Sequence, residues 1–422
     1  MSRIAFLECA VCGNKVSAEE PQTVCPIDAG SLMVRYDLEA LKQTAKRENV
    51  AALGATPGRS VGMWRYADVM PDVPPVTLGE GFTPMLQSKR YDGLVVKEEA
   101  ANPTGTFKAR GMAAAVSMAK HYGLKHLAAP SAGNAAGALA AYAAAAGITA
   151  HIFMPKDVPF ANILEARAYG ADLTLVDGLI SDCGRMVAER IAEQKKLAAA
   201  GEMPSNEVWF EVSTMKEPFR VEGKKTMGYE LVEQLGWKYP DAVFYPTGGG
   251  VGLIGMWKAF EEMEALGWVS GKRPKMYSLQ AAGCAPLAKA FAEGKDRSEF
   301  FAGAETMASG LRVPKPYADW MVLEIVRESG GEVIAVDDKE IFDSIGDWGR
   351  NEGLLLCPEG AAATASYDKL LAAGKLTASD RVVLFNTGAG LKYVDTIAEA
   401  WGIRREVALP KALPVGGIIT PV

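Results

Sequence analysis

Residues 94–111 of the chain, LVVKEEAANPTGTFKARG, combine a short apolar segment with a loop of small residues and a basic helix start. The pattern predicts a strand over residues 94–97 and a helix over residues 108–122 that ends before Gly123. A lysine in the first helical turn feels the positive end of the helix dipole, which lowers the pKa of its ammonium group. Lys108 is therefore a candidate nucleophilic amine, although an ordinary exposed lysine would also fit this loop alone.

The same order of strand, glycine-bearing loop and helix recurs along the chain. Helical segments separate most of the other predicted apolar strands, which span residues 126–129, 150–154, 173–176, 242–245, 275–279 and 381–385. This alternation predicts parallel sheets that helices cover on both faces. Ligands of such sheets bind at the carboxyl ends of the strands, so the loops after the strands are the candidate binding loops.

Two of these loops carry polar groups suited to a small ligand. In residues 130–137, PSAGNAAG, the backbone N–H groups of Ser131, Gly133 and Asn134 can bind an anion such as a carboxylate. The Asn134 amide can also bond a ring hydroxyl, although a plain helix N-cap would look the same. In residues 386–392, NTGAGLK, Thr387 places a neutral hydroxyl at another strand end.

A third loop, residues 246–255 with the sequence PTGGGVGLIG, is rich in glycine between a strand and a helix. It matches G-x-G-x-x-G, but a dinucleotide site needs an acidic residue about 20 residues further on, and the next strand ends in Ser278-Leu279-Gln280-Ala281. No G-K-[ST] follows, so a Walker loop is excluded. Clustered glycines at a helix start free several N–H groups for one phosphate, which predicts a phosphate monoester ligand.

Together, the four loops predict a pyridoxal-phosphate site. This cofactor needs an amine for its aldehyde, a binding site for its phosphate and a partner for its ring nitrogen. Lys108 supplies the amine, the glycine-rich loop supplies the phosphate site, and Thr387 supplies a neutral hydroxyl. The loop at Ser131 remains for the carboxylate of an amino-acid substrate.

The N-terminal residues 1–36 form a separate cysteine-containing segment. Cys9-x-x-Cys12 is followed by Cys25-Pro-Ile-Asp28, and two such turns are typical of a zinc ribbon. The fourth ligand would be Asp28, and three cysteines with one aspartate are uncommon in structural zinc sites. The sequence therefore predicts a metal site at Cys9, Cys12, Cys25 and Asp28, with a ribbon that has lost its metal as the alternative.

Composition excludes several other function classes. The 422 residues include 45 Lys and Arg against 51 Asp and Glu, a formal net charge of −6, which is unfavourable for binding nucleic acid or acidic membranes. The three histidines, His121, His126 and His151, form no H-E-x-x-H motif, which disfavours zinc hydrolase and Ser-His-Asp chemistry. We expect a cytoplasmic protein with reduced cysteines, a small-molecule amino-acid substrate and a homodimeric state, with no nucleic-acid or membrane partner.

The chain resembles the fold-type II pyridoxal-phosphate enzymes, and most closely the threonine synthase family. The resemblance covers nearly the whole chain, including the cysteine segment, RVEGKKT at residues 220–226 and PEGA at residues 358–361. It implies that Lys108 forms a Schiff base with the cofactor. It implies further cofactor contacts from Phe107, Asn134, Gly248, Gly249, Gly250, Val251, Gly252 and Thr387. The implied substrate-binding residues are Ser131, Ala132, Gly133 and Asn134 for the carboxylate and Arg220 for the substrate phosphate.

The resemblance also implies an architecture. It consists of two doubly wound parallel-sheet α/β domains with the cofactor in the cleft between them, plus a small zinc-ribbon-like module. We predict the module at residues 1–36 and the smaller domain at residues 94–205. The larger, cofactor-binding domain is predicted to combine residues 37–93 with residues 206–422.

The implied reaction converts O-phosphohomoserine and water to threonine and phosphate, but two departures leave an alternative open. Threonine synthases usually have Ser-Thr-Gly-Asn where this chain has Ala132, which removes one hydroxyl for the substrate phosphate. Glu217 stands where an asparagine is frequent, and a carboxylate repels a phosphate. The alternative is a serine/threonine ammonia-lyase (dehydratase) or a β-replacement enzyme, in which Arg220 would pair with Glu217 or Glu222.

Overall fold

The computed structural model describes residues 3–54 and 62–403. Its strands are β1 Ile4–Cys9, β2 Lys15–Val16, β3 Leu32–Tyr36, β4 Met85–Gln87, β5 Leu94–Glu98, β6 His126–Pro130, β7 Thr149–Pro155, β8 Asp172–Val176, β9 Phe210–Glu211, β10 Ala242–Pro246, β11 Lys275–Ala281, β12 Val333–Val336 and β13 Val382–Asn386. Its α-helices are α1 Leu38–Thr44, α2 Arg47–Gly54, α3 Lys108–His121, α4 Asn134–Ala146, α5 Phe160–Ala168, α6 Ile180–Ala199, α7 Phe219–Gln234, α8 Val251–Ala265, α9 Pro286–Ala292, α10 Asp319–Ser329, α11 Asp338–Glu352, α12 Pro358–Ala372 and α13 Val394–Ala400.

The larger sheet has the strand order β12-β11-β10-β13-β5-β4. All of its neighbouring pairs are parallel except β4 with β5. Its central strands bury side chains on both faces, as Phe244 and Tyr245 on β10 and Leu384 and Phe385 on β13 illustrate. Burial on both faces is what helices packed against a parallel sheet produce, so the predicted α/β fold with parallel sheets is confirmed.

The smaller sheet has the order β8-β7-β6-β9, with every pair parallel. The boundary predicted at residue 94 does not match this sheet, because β5 pairs with β13 in the larger sheet. The boundary predicted at residue 205 is also early, since β9 at Phe210–Glu211 pairs with β6. An apolar strand buried on both faces has the same pattern in either sheet, so the sequence alone could not assign β5.

Helices α3 and α7 pack closely against each other and fix the start of the lysine helix. A Cβ atom on Gly223 of α7 would lie 1.9 Å from the carbonyl oxygen of Arg110, so only glycine allows this approach. The buried Arg110 guanidinium also forms ion pairs with Glu99, at 2.7 Å, and with Glu230 of α7. Since Arg110 is two residues after Lys108, these contacts hold the lysine in place relative to α7.

The N-terminal module is a three-stranded antiparallel sheet with the order β2-β1-β3. Its apolar residues pack against Met118 of α3 and Phe219 of α7. The Tyr36 hydroxyl donates to Glu222 Oε2 at 2.6 Å, which links β3 to the buried face of α7. In the two described ranges, we find no helix with the length and apolar character needed to cross a membrane.

Candidate active site

The four loops singled out in the sequence meet at one cleft of about 720 Å³. Three of them follow β5, β10 and β13 of the larger sheet, and the fourth follows β6 of the smaller sheet. Every residue predicted to contact the cofactor or substrate lines this cleft. The fold therefore brings together segments that are far apart in the sequence, at the carboxyl ends of parallel strands as expected.

Lys108 is the first residue of α3 and faces the cleft. Burial penalises the charged ammonium and, together with the positive charge of Arg220, lowers the pKa of Lys108 to about 8. Its Nζ lies 3.9 Å from the centre of the Phe107 ring. The arrangement supplies a partly neutral amine beside an aromatic face, which suits nucleophilic attack on an aldehyde.

The loop that carries Thr387 is bonded directly to the lysine loop. The Phe107 N–H donates to the Thr387 carbonyl oxygen at 3.1 Å, and the Ala389 N–H donates to the Gly105 carbonyl oxygen at 2.8 Å. The Thr387 hydroxyl is buried in the cleft wall, 3.7 Å from Cys357 Sγ. A hydroxyl next to a neutral thiol can bond a pyridine nitrogen without holding it protonated.

The glycine-rich loop presents the start of α8 to the cleft. Gly250 caps this helix with φ +78°, a left-handed conformation that favours glycine. A Cβ atom on Gly248 would lie 2.4 Å from the Gly310 carbonyl oxygen, whereas one on Gly249 would have only Thr214 Cγ2 nearby, at 3.9 Å. The first N–H groups of α8 have no acceptor within the helix, so a phosphate can accept from them.

The loop at residues 131–134 differs in one respect from its prediction. The Ser131 N–H donates to the Phe153 carbonyl oxygen at 3.0 Å, so it is not free for a substrate carboxylate. The Gly133 N–H donates to Ser131 Oγ at 3.3 Å. Anion binding at this loop would therefore use Ala132 and the first turn of α4, which begins at Asn134.

The Asn134 amide begins a hydrogen-bonded chain that the sequence did not predict. Its Nδ2 donates to the Tyr393 hydroxyl at 2.8 Å, and Tyr393 donates to Glu359 Oε1 at 3.1 Å. The Gly310 N–H also donates to this oxygen, at 2.7 Å. Asn134 Oδ1 and Glu359 Oε2 are buried and have no partner in the described part of the chain. The PEGA segment was the only sequence signal for Glu359.

Arg220 lies in the first turn of α7 and is almost fully buried in the cleft wall. Its Nη1 donates to the Val212 carbonyl oxygen at 2.9 Å, and its Nε has no partner among the described residues. Burial lowers the pKa of its guanidinium to about 10, so the group remains charged at neutral pH. A buried cation with an N–H group that has no acceptor is suited to bind an anionic ligand.

The two acids proposed as alternative partners of Arg220 have other contacts. Glu217 Oε2 accepts from the backbone N–H of Arg220 at 2.8 Å and caps α7, and burial raises its pKa to about 7. Glu222 binds Lys225 and Lys258, each at 2.6 Å. Among the residues that the structure describes, neither acid forms an ion pair with the Arg220 guanidinium.

The residues of the cleft fit pyridoxal phosphate. Lys108 offers an amine with a lowered pKa, and Asn134 has a buried amide oxygen that lacks a partner. The loop from Gly248 provides a cradle at a helix start in which added Cβ atoms would occupy the space or clash. Each of these features matches one functional group of the cofactor: its aldehyde, its ring hydroxyl and its phosphate.

The family model for "Pyridoxal-phosphate dependent enzyme" matches residues 76–388. The chain belongs to this family. Its curated relatives include a threonine synthase from Methanocaldococcus jannaschii, 32% identical over 93% of this chain and 94% of the relative. Another is a threonine synthase from Mycobacterium tuberculosis, 33% identical over 78% of this chain and 88% of the relative. The resemblance to threonine synthases and the predicted cofactor, pyridoxal phosphate, are thereby confirmed.

Solved structures support the fold. The structure of maize serine racemase superimposes with a TM-score of 0.60 and covers 76% of this chain and 91% of its own, at 22% sequence identity. At this identity the comparison concerns the fold alone. It agrees with an α/β fold, which in this chain has two sheets whose loops both line the cleft.

A second cluster of reactive side chains lies in the N-terminal module, where the metal site was predicted. Ligand atoms of Cys9, Cys12, Cys25 and Asp28 all lie within 4.8 Å of one another. The backbone N–H groups of Val11 and Cys12 point at Cys9 Sγ, at 3.4 and 3.5 Å, and the Ile27 N–H points at Cys25 Sγ, at 3.4 Å. N–H groups directed at sulfur stabilise thiolates, the form in which cysteine binds a metal.

Proposed function

We propose that this protein converts O-phosphohomoserine and water to threonine and phosphate. The observation that carries the proposal is Arg220, a buried guanidinium in the same cleft as Lys108, with an unpartnered Nε and no ion pair to an acid in the described ranges. The nearby carboxyl of Glu217 bonds the backbone N–H of Arg220 and not its guanidinium. Such a group needs an anion from a ligand, and the phosphate of this substrate would provide it. The relatives named threonine synthase support the same activity.

Cofactor binding would involve residues from four loops. When bound, pyridoxal phosphate draws electrons away from the Cα atom of an attached amino acid and so makes its proton acidic. Lys108 would hold the cofactor covalently, and the glycine-rich loop would hold its phosphate. Asn134 and Thr387 would orient the ring through its hydroxyl and nitrogen.

Once the amine of the substrate has replaced it on the cofactor, Lys108 would be free to carry protons during the reaction. Its pKa of about 8 leaves a share of neutral amine near neutral pH, and a neutral amine can accept the α-proton of the substrate. The same amine would then take a proton from Cβ, and phosphate would depart from Cγ and be bound by Arg220. The amine would return one proton to Cγ, which becomes the methyl group. Water would add its hydroxyl at Cβ and leave its second proton on phosphate, the amine would return the other proton to Cα, and threonine would be released.

The ammonia-lyase or β-replacement alternative receives no comparable support. It requires Arg220 to serve a structural role with Glu217 or Glu222. Glu222 pairs instead with Lys225 and Lys258, and Glu217 bonds the backbone N–H of Arg220 and not its guanidinium. A guanidinium without an ion pair would then be buried, and a purely structural role does not offset the free energy that this burial costs.

We also propose that the cluster of Cys9, Cys12, Cys25 and Asp28 binds zinc with a structural role. Four ligands in two turns fit tetrahedral coordination, with no position left for catalysis.

The six free cysteines fit a reducing cytoplasm, which we propose as the location of the enzyme. The homodimer remains a prediction.

The proposal is tested by supplying the purified holoenzyme with O-phospho-L-homoserine and measuring phosphate and threonine. Parallel reactions with L-threonine and L-serine measure formation of the corresponding oxo acids. We expect phosphate and threonine in equal amounts, with oxo acids formed far more slowly. Rapid oxo-acid formation without phosphate release would assign the protein to the ammonia-lyases instead.

A further inference from the structure

Lys224 is a buried lysine that faces the cleft and has no role in the site described so far. It lies on α7 one turn after Arg220, so the two side chains are on the same face of the helix. Only 2% of its surface is exposed. Its Nζ makes no hydrogen bond or ion pair in the described part of the chain. It lies over the face of the Phe107 ring, 5.1 Å from the ring centre, in a cation–π contact.

Among the buried lysines of the described ranges, Lys224 is exceptional because it has no acidic partner. Lys97 pairs with Glu230 at 3.0 Å, Lys225 pairs with Glu222 at 2.6 Å, and Lys258 pairs with Glu222 at 2.6 Å. Lys224 is as buried as these residues, and burial, together with the positive charges of Arg220 and Lys108, places its pKa well below the usual value for lysine. A buried amine in such surroundings is stabilised in its charged form only when an anion arrives.

The path of the Lys224 side chain is shaped by a small residue of the neighbouring helix. A Cβ atom on Gly111 of α3 would lie 3.0 Å from Lys224 Cε and 3.5 Å from its Cγ. Glycine at this position therefore leaves room for the Lys224 side chain beside α3. The packing directs the amine toward the cleft, where Arg220 Nε also lacks a partner.

We infer that Lys224 and Arg220 form a two-cation subsite for the phosphate group of the substrate, and that Lys224 sets the preference for a phosphorylated amino acid. This inference rests on the proposed function. The cofactor phosphate has its own site at the start of α8, so the subsite on α7 serves a second phosphate. Two cations match the two charges of a phosphate monoester, whereas an unphosphorylated amino acid would supply no anion to either side chain.

The test compares binding of inorganic phosphate to wild-type holoenzyme and to Lys224→Gln and Lys224→Arg holoenzymes by calorimetry. We expect Lys224→Gln to bind phosphate about 10- to 150-fold more weakly, which corresponds to the loss of one charge-assisted hydrogen bond. Lys224→Arg should restore most of the affinity. In turnover, Lys224→Gln should raise KM for O-phosphohomoserine more than it lowers kcat.

Lys225→Gln is the matched control, because it changes the adjacent, equally buried lysine that already has acidic partners. It should lower the melting temperature and leave phosphate affinity unchanged, whereas Lys224→Gln should leave the melting temperature unchanged or raise it. If Lys225→Gln does not fold, the Gln and Arg variants of Lys224 still supply the comparison.

Three results would overturn the inference. They are equal phosphate affinity in wild type and Lys224→Gln, no phosphate binding by wild type, and a loss of cofactor affinity in Lys224→Gln with an unchanged KM. Failure of the proposed function would look different. Wild type would release no phosphate from O-phosphohomoserine, while the binding of inorganic phosphate would still report on Lys224.

Discussion

The Phe107 N–H donates a hydrogen bond to the Thr387 carbonyl oxygen, with 3.1 Å between the two atoms. This bond joins the loop that carries Lys108 to the loop whose hydroxyl is the proposed partner of the cofactor ring nitrogen. A short antiparallel bridge between Thr106 and Gly388 strengthens the connection. The amine and the hydroxyl therefore belong to one rigid unit, which is the condition for holding a ring between them.

The pH dependence of cofactor binding should report the lowered pKa of Lys108. Only the neutral amine attacks an aldehyde, so the rate at which apoenzyme captures pyridoxal phosphate should rise with pH and level off above about 8. Nα-acetyl-lysine in solution, which keeps a free side-chain amine, is the reference, and its rate should continue to rise toward its ordinary pKa. Borohydride reduction and peptide mapping should then find the pyridoxyl group on Lys108; a label on another lysine would contradict the assignment.

Gly249→Val should weaken cofactor binding without unfolding the protein. An added Cβ atom meets only Thr214 Cγ2, at 3.9 Å, so the rest of the valine side chain is expected to fill the proposed phosphate cradle. We expect cofactor affinity to fall by about tenfold or more, or about 1.4 kcal/mol, in a titration of the apoenzyme. Gly252→Ala is the contrasting variant, since its Cβ would lie 1.9 Å from the Tyr245 hydroxyl and should destabilise the apoenzyme itself. Unchanged cofactor affinity in Gly249→Val would place the phosphate elsewhere.

Arg220→Ala should impair the reaction of the phosphorylated substrate selectively. Loss of a charge-assisted contact with a buried anion costs about 2–5 kcal/mol, so kcat/KM for phosphate release should fall roughly 30-fold to several thousand-fold. Cofactor absorbance should persist, because Lys108 is unchanged. Slow deamination of L-threonine, measured in the same preparation, controls for general damage. A parallel fall in both activities would mean that Arg220 acts through the fold and not through the phosphate.

The N-terminal module should contain one zinc ion per chain. Elemental analysis of protein purified without chelators measures it directly, and Cys12→Ser should lower the zinc content and the melting temperature together. Cys183→Ser is the control, because that buried cysteine lies in α6, outside the cluster. Sub-stoichiometric metal in the wild type would favour a ribbon that keeps its turns without zinc.

The sequence predicted the elements of the fold better than their membership in sheets. Strand and helix positions follow from local hydrophobic periodicity and from glycines that mark the ends of elements. The helix that begins at Lys108 is an example. The pairing of β5 with β13 depends on contacts between segments nearly three hundred residues apart. No local pattern carries that information, so the predicted boundary at residue 94 was wrong.

The candidate site was predicted where residues lie in glycine-rich loops after strands, as at Gly249 and Asn134. Lys224, Glu359 and Tyr393 were not predicted, because they lie within or beside helices and only side-chain direction brings them into the cleft. The sequence also could not predict the partners of Arg220, because the direction of a side chain decides them. Glu217, three residues earlier, bonds the backbone of Arg220 and not its guanidinium.

Wild-type holoenzyme that is supplied with O-phospho-L-homoserine in water labelled with heavy oxygen provides the decisive measurement. We expect one threonine for each phosphate released, with the label in the β-hydroxyl of threonine, because water adds at Cβ after phosphate has left Cγ. Phosphate accompanied by homoserine or by an oxo acid, or no phosphate at all, would contradict it.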